Sequence, residues 1–163
     1  MIGGPRRLAG LLLWLLLIPA ALPAAEWGGV TPGQSTQDDV RRLFGPPTRE
    51  RSGREEGYET REWLYEGEAA PAGLIKLEVQ FGLLGPEGFK PETVRALILY
   101  PGANRFPLAS LQVGWGRPSQ QGTDSKTGRP TLIWDEGLVV FLDKEGRWAE
   151  EMYFVIPQLP AAQ

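Results

Sequence analysis

Two adjacent carboxylate pairs, Glu55 with Glu56 and Asp135 with Glu136, are the first side chains in this sequence whose types and spacing could do chemistry. Acid and base work on a glycosidic bond needs two carboxyl groups facing one substrate. Neighbours on an extended chain point to opposite faces, so neither pair meets that need. Glu55 and Glu56 also stand beside Arg51 and Arg54 in a charged stretch that reads as solvated loop. Asp143, Glu145 and Gly146 have a faint likeness to a calcium loop, but the alternating oxygens and closing glutamate are missing, and a hairpin turn explains them. Ser35, Ser52, Ser110, Ser119 and Ser125 have no histidine to activate them, because the chain has none, and none sits in a glycine-flanked elbow. Lys76 could replace histidine as a base, yet it lies opposite the apolar face of an alternating strand, where solvent is its simplest neighbour. The glycines from Gly82 to Gly88 open no helix, so they make no phosphate cradle. With neither histidine nor cysteine, the chain lacks the commonest general base, the usual zinc ligands and any disulfide. These residues predict no catalytic site, no metal and no cofactor.

The aromatic residues are the stronger lead. Six tryptophans are present, of which Trp14 lies in the amino-terminal leader. Trp63, Trp115 and Trp134 occupy core-pattern positions. Trp27 precedes the first helix and Trp148 follows a turn, which makes these two the candidate partner-binding residues, with the covering of a sheet end as their other use.

The leader has its own logic. Arg6 and Arg7 precede an apolar run from Leu8 to Ile18, and Pro19 to Ala25 supply the small-residue exit of a secretory signal. Cleavage is expected after Ala25, within two residues either way, which directs the protein to the periplasm or outside the cell. An uncleaved anchor is the competing reading, although the run is shorter than the roughly 20 apolar residues a spanning helix needs. The signal holds two of the 17 basic and none of the 20 acidic residues, so the remaining 138 residues carry 15 against 20, or −5. That surface argues against nucleic acid and against anionic lipid headgroups.

Beyond the leader, Ser35 or Thr36 can cap a helix whose first turn carries Asp38 and Asp39 and whose apolar stripe is Val40, Leu43 and Phe44. Gly45, Pro46 and Pro47 stop it. A turn-rich stretch from Arg49 to Gly57 follows. Strands are predicted at Tyr58 to Tyr65, Ile75 to Phe81 and Val94 to Tyr100, the last apolar on both sides, with a loop from Gly82 to Pro91. A weaker helix from Leu108 to Trp115 is then stopped by Gly116 and Pro118. Gln120 to Arg129 reads as an exposed loop, and Pro130 to Trp134, Gly137 to Leu142 and Arg147 to Ile156 read as strands.

Val40 to Pro47 returns in degraded form as Leu111 to Pro118, pairing Phe44 with Trp115, Gly45 with Gly116 and, at the same spacing, Trp63 with Trp134. The sequence therefore predicts an α+β fold, a tandem repeat of short helix plus antiparallel sheet modules. Its expected division is a signal peptide at 1–25, a first module at 26–102, a degenerate second copy at 103–158 and a disordered tail at 159–163.

Thr31 to Pro47, Thr31-Pro32-Gly33-Gln34-Ser35-Thr36-Gln37-Asp38-Asp39-Val40-Arg41-Arg42-Leu43-Phe44-Gly45-Pro46-Pro47, followed by a strand with Trp63 and Tyr65, resembles the SmpA/OmlA or BamE-like family. The module also resembles the β-lactamase inhibitor protein fold. The first resemblance implies an accessory role in outer-membrane protein assembly, and the second a docking surface built from two copies. The chain departs from the lipoprotein pattern in having no cysteine to carry a lipid anchor and in holding two copies. The resulting expectation is an exported, non-enzymatic protein-binding module whose partner is another envelope or exported protein. Membrane association would follow only from an uncleaved signal. An inhibitor that inserts Gln120 to Arg129 into an enzyme cleft, and a small-ligand or glycan binder using exposed tryptophans, are the alternatives.

Overall fold

Thr36 begins the first helix by a reciprocal exchange: its hydroxyl accepts the Asp39 N–H, and the Asp39 carboxylate accepts the Thr36 N–H at 3.0 Å. This capping box satisfies two amides that a helix start leaves without partners. Helix α1 runs Gln37–Phe44 and ends at Gly45, whose φ of 77° suits glycine. Helix α2, Leu108–Trp115, starts after Pro107 without a side-chain cap and ends the same way at Gly116, φ 74°. Each ending is held by a ring from the sheet: Tyr65 donates its hydroxyl to the Gly45 carbonyl at 3.1 Å, and Trp134 donates its indole N–H to the Gly116 carbonyl at 3.3 Å. At this contact the counterpart of Trp134 is Tyr65, not Trp63 as the sequence spacing predicts.

The computed structural model describes residues 23–157; the expected signal core and the expected tail fall outside them. The strands are β1 (Arg49–Glu55), β2 (Tyr58–Glu66), β3 (Leu74–Gly85), β4 (Gly88–Pro101), β5 (Gln120–Thr123), β6 (Pro130–Trp134), β7 (Leu138–Leu142) and β8 (Ala149–Val155). They form one antiparallel sheet in the order β1-β2-β3-β4-β8-β7-β6-β5. Strands β4 and β8 join directly, so residues on both sides of the expected boundary at 102 and 103 share one sheet and one core.

This corrects the expected α+β class and its tandem helix-plus-sheet modules: the chain is largely β, with two eight-residue helices laid on one sheet. The physical reason lies in stretches that the apolar pattern cannot reveal. Arg49–Glu55 and Gln120–Thr123 are wholly exposed yet pair as the two edge strands. The expected glycine and proline loop from Gly82 to Pro91 instead continues the β3–β4 hairpin to Gly85 and Gly88.

One face of the sheet carries the helices. Its central row runs Trp63, Val79, Leu97, Phe154, Leu138 and Trp134 across β2, β3, β4, β8, β7 and β6, and all six are buried. Val40 of α1 and Leu111 of α2 close over it, and Trp115 meets Phe154 edge to face at 5.8 Å. Phe44 is only half-buried, held between Trp27 and Tyr65, while Leu43 is exposed despite its place in the predicted stripe.

Candidate functional site

The opposite face has neither helix on it. Its central row crosses all eight strands as Arg49, Leu64, Glu78, Ile98, Tyr153, Val139, Ile133 and Gln120. Apart from Glu78, which is paired with Lys76, the middle is apolar and aromatic and the two ends are polar, the layout of a docking surface with a dry centre and a wet rim. Tyr100 and Phe141 flank the row: Lys76 lies directly across from Tyr100, and Phe141 across from Glu151. A register shift between Gln80 and Phe81 sends Val94 to the helix face opposite Phe81, where unbroken alternation would have put it with Ala96 and Ile98.

The side chains on this face hold one another in place. The Lys76 ammonium sits 3.8 Å from the centre of the Tyr100 ring and 2.6 Å from the Glu78 carboxylate. The Tyr153 hydroxyl donates to Glu151 at 3.0 Å, and the Tyr153 ring meets Phe141 edge to face at 5.5 Å. Arg129 reaches both Glu151 at 2.8 Å and Glu150 at 3.3 Å while covering the Phe141 ring. Burial first, then the nearby Glu78 and Glu151 charges, push the Tyr100 hydroxyl up to about 12. Burial and the hydrogen bond to Glu151 do the same for Tyr153, also to about 12. Both phenols stay neutral at ordinary pH, and the Tyr153 hydroxyl is fixed in direction by Glu151.

Of the carboxylates singled out for chemistry, Glu55 and Asp143 are spoken for. Glu55 is clasped by both terminal nitrogens of Arg95, whose hydrogen bond holds its carboxyl below the usual range. Glu56 sits at the β1–β2 turn with φ 50°, and Asp135 and Glu136 lie between β6 and β7. Asp143 accepts the N–H groups of Arg147 and Trp148, which depress its carboxyl as a hairpin closure would. Ser119 bonds the Ile133 carbonyl, and Ser35 accepts the Thr31 N–H. Lys76 is held between the Glu78 carboxylate and the Tyr100 ring.

Trp27 and Trp148 are not brought together. Trp27 is half-buried against Phe44, 5.7 Å between ring centres, in a tight turn closed by Val30. Trp148 is half-buried in a bridge with Pro107 just ahead of α2. Each braces the approach to a helix. The sequence reading singled out none of Tyr100, Phe141 and Tyr153; the signal for Tyr100 was the apolar character on both sides of β4, which fits a strand covered on both faces as well as one with an open face.

The sequence matches no family model and no curated protein. Among solved structures the chain is similar to a DUF4309 family protein, YjgB, of Bacillus subtilis, with a TM-score of 0.51 and 20% identity over 78% of this chain and 82% of that one. At that identity the likeness concerns the fold alone.

Proposed function

We propose that the chain is an exported, non-enzymatic protein-binding module that docks an envelope partner on the helix-free face of its sheet, as an accessory factor in cell-envelope or outer-membrane protein assembly. The observation that carries this reading is the pre-set cluster of Tyr100, Phe141 and Tyr153, locked by Lys76, Glu151 and Arg129, with no described element packed over it. Rigid aromatic anchors bind at low entropic cost because their rotamers are already fixed. The accessory role itself rests on the resemblance of Thr31 to Pro47. The glycan alternative loses ground, since the five described tryptophans are buried or half-buried, not exposed.

The test is a photo-crosslinking amino acid placed in the native envelope at Phe141, on the proposed face, or at Val113, which is 89% exposed on α2. Adducts to one envelope protein from position 141 and none from 113 support the reading. Equal capture at both positions, or none at 141, removes it.

A further inference from the structure

The two edges of the sheet are built in opposite ways. On β1, Glu50 pairs with Arg41, Arg49 with Glu66, Arg51 with Glu62, Arg54 with Glu59 and Glu55 with Arg95. A charge-laced edge resists another strand, because pairing would strip water from every one of those groups. Strand β5 is Gln120-Gln121-Gly122-Thr123: exposed along its length, with no charge, proline or bulge. Asp124 N–H bonds inward to Arg129 O, and the alternation of an antiparallel ladder then leaves Gln121 and Thr123 with N–H and C=O pointing outward.

We propose that the open edge of β5 is a β-addition site for an extended segment of a partner polypeptide that carries an apolar side chain opposite Gly122 and a carboxylate toward each end. The apolar requirement comes from Gly122, which pairs with Thr131 on the helix-free face and would have nothing within 4 Å of an added Cβ. Beside it opens a shallow groove of about 430 Å³ lined in part by Ile133, Val139 and Phe141. A side chain of the incoming strand, standing next to a residue that has none, drops into that space.

The charge requirement comes from Arg117 and Lys126, which bracket β5 and make no ion pair among the described residues. The nearby Asp124 carboxylate is occupied by the Thr127 hydroxyl and the N–H groups of Lys126 and Thr127. The same two cations disfavour a second copy as occupant. An antiparallel self-pair that matches the outward groups sets Gln121 of one copy opposite Thr123 of the other, which brings Arg117 of each copy within one residue of the position opposite Lys126 of the other. The groove shares Ile133, Val139 and Phe141 with the docking face proposed above, but main-chain pairing at the edge needs no contact with Tyr100 or Tyr153, so loss of peptide binding on Gln121→Pro tests the edge without testing that face.

The probe is a capped nine-residue peptide of alternating threonine and valine with an aspartate at each end, measured by fluorescence anisotropy against the whole protein. The aspartate-ended peptide is expected to bind about tenfold more tightly than the same peptide with lysine ends, and Arg117→Glu with Lys126→Glu should reverse that preference. Methylating alternate backbone nitrogens of the peptide should abolish binding on the protein as it stands. Gln121→Pro removes an outward N–H without touching the inner ladder, so it should abolish binding with the thermal melt unchanged. Equal binding of the methylated peptide, or no saturable binding, overturns the proposal. A dimer in sedimentation that Gln121→Pro dissolves also overturns it, by giving the edge to a second copy.

Discussion

Gly137, at the turn into β7, is the residue whose side chain the fold can least admit. Its φ is 97°, and an added Cβ would stand 2.1 Å from the Val155 carbonyl oxygen and 3.1 Å from the carbon behind it. Both are backbone atoms of β8, so no rotamer change relieves the clash. Gly137→Ala must therefore displace the end of β8, whose Val155 N–H bonds the Gly137 carbonyl at 2.8 Å. Forcing a side chain into a left-handed backbone costs about 1–2 kcal/mol. Losing the cross-strand bond adds about 1 kcal/mol. Disturbed packing of the neighbouring Phe154, which is fully buried, brings the expected loss to about 3 kcal/mol or more. Gly57 is the control: φ is 89°, but nothing lies within 4 Å of its added Cβ, so Gly57→Ala should show the conformational cost alone. Equilibrium urea unfolding followed by tryptophan fluorescence measures both. A domain of this size loses about 2–4 °C of melting temperature per kcal/mol, so Gly137→Ala should melt about 4–8 °C below Gly57→Ala. Equal losses would refute the reasoning from contact at Gly137.

Phe44→Ala should cost about 2–3 kcal/mol, at or just below the roughly 3–5 kcal/mol of a fully buried aromatic, because the ring is half-buried between Trp27 and Tyr65; a melt unchanged by the substitution would remove α1 from the core. Tyr65, Tyr100 and Tyr153 are each pushed up to about 12, chiefly by burial. A phenol raised above its unfolded value near 10 stabilises the fold fully below that value and loses the contribution as pH rises through about 12. Ultraviolet titration should accordingly place their ionisation together with alkaline unfolding, and reversible ionisation near 10 with the fold intact would contradict this. Ala25 is fully buried and its N–H bonds the Glu136 carbonyl at 2.7 Å, so cleavage of the expected leader should fall one or two residues before the predicted point and mass spectrometry of the mature chain should find Ala25 retained; a mature chain beginning at Glu26 with an unchanged melting temperature would show that contact to be dispensable.

Apolar periodicity located β3, β4 and the β7–β8 hairpin because each strand has an alternating or continuous apolar side that packing requires. The same signal is silent for β1 and β5. Arg-Glu-Arg-Ser-Gly-Arg-Glu and Gln-Gln-Gly-Thr have no apolar side, and an edge strand needs none, since one neighbour satisfies half its backbone and water the other half. Missing those two strands left the helices too prominent and turned one largely β sheet into two α+β modules. The helix-free face proposed for docking was hidden for a different reason. Ile98 and Tyr100 alternate with Leu97 and Leu99, and a strand apolar on both sides is indistinguishable in sequence from one covered on both sides. Only the register separates the cases: it sets Ile98 and Tyr153 side by side on the face opposite α1 and α2, where Lys76, Glu151 and Arg129 supply the polar rim that a buried second layer would have no use for.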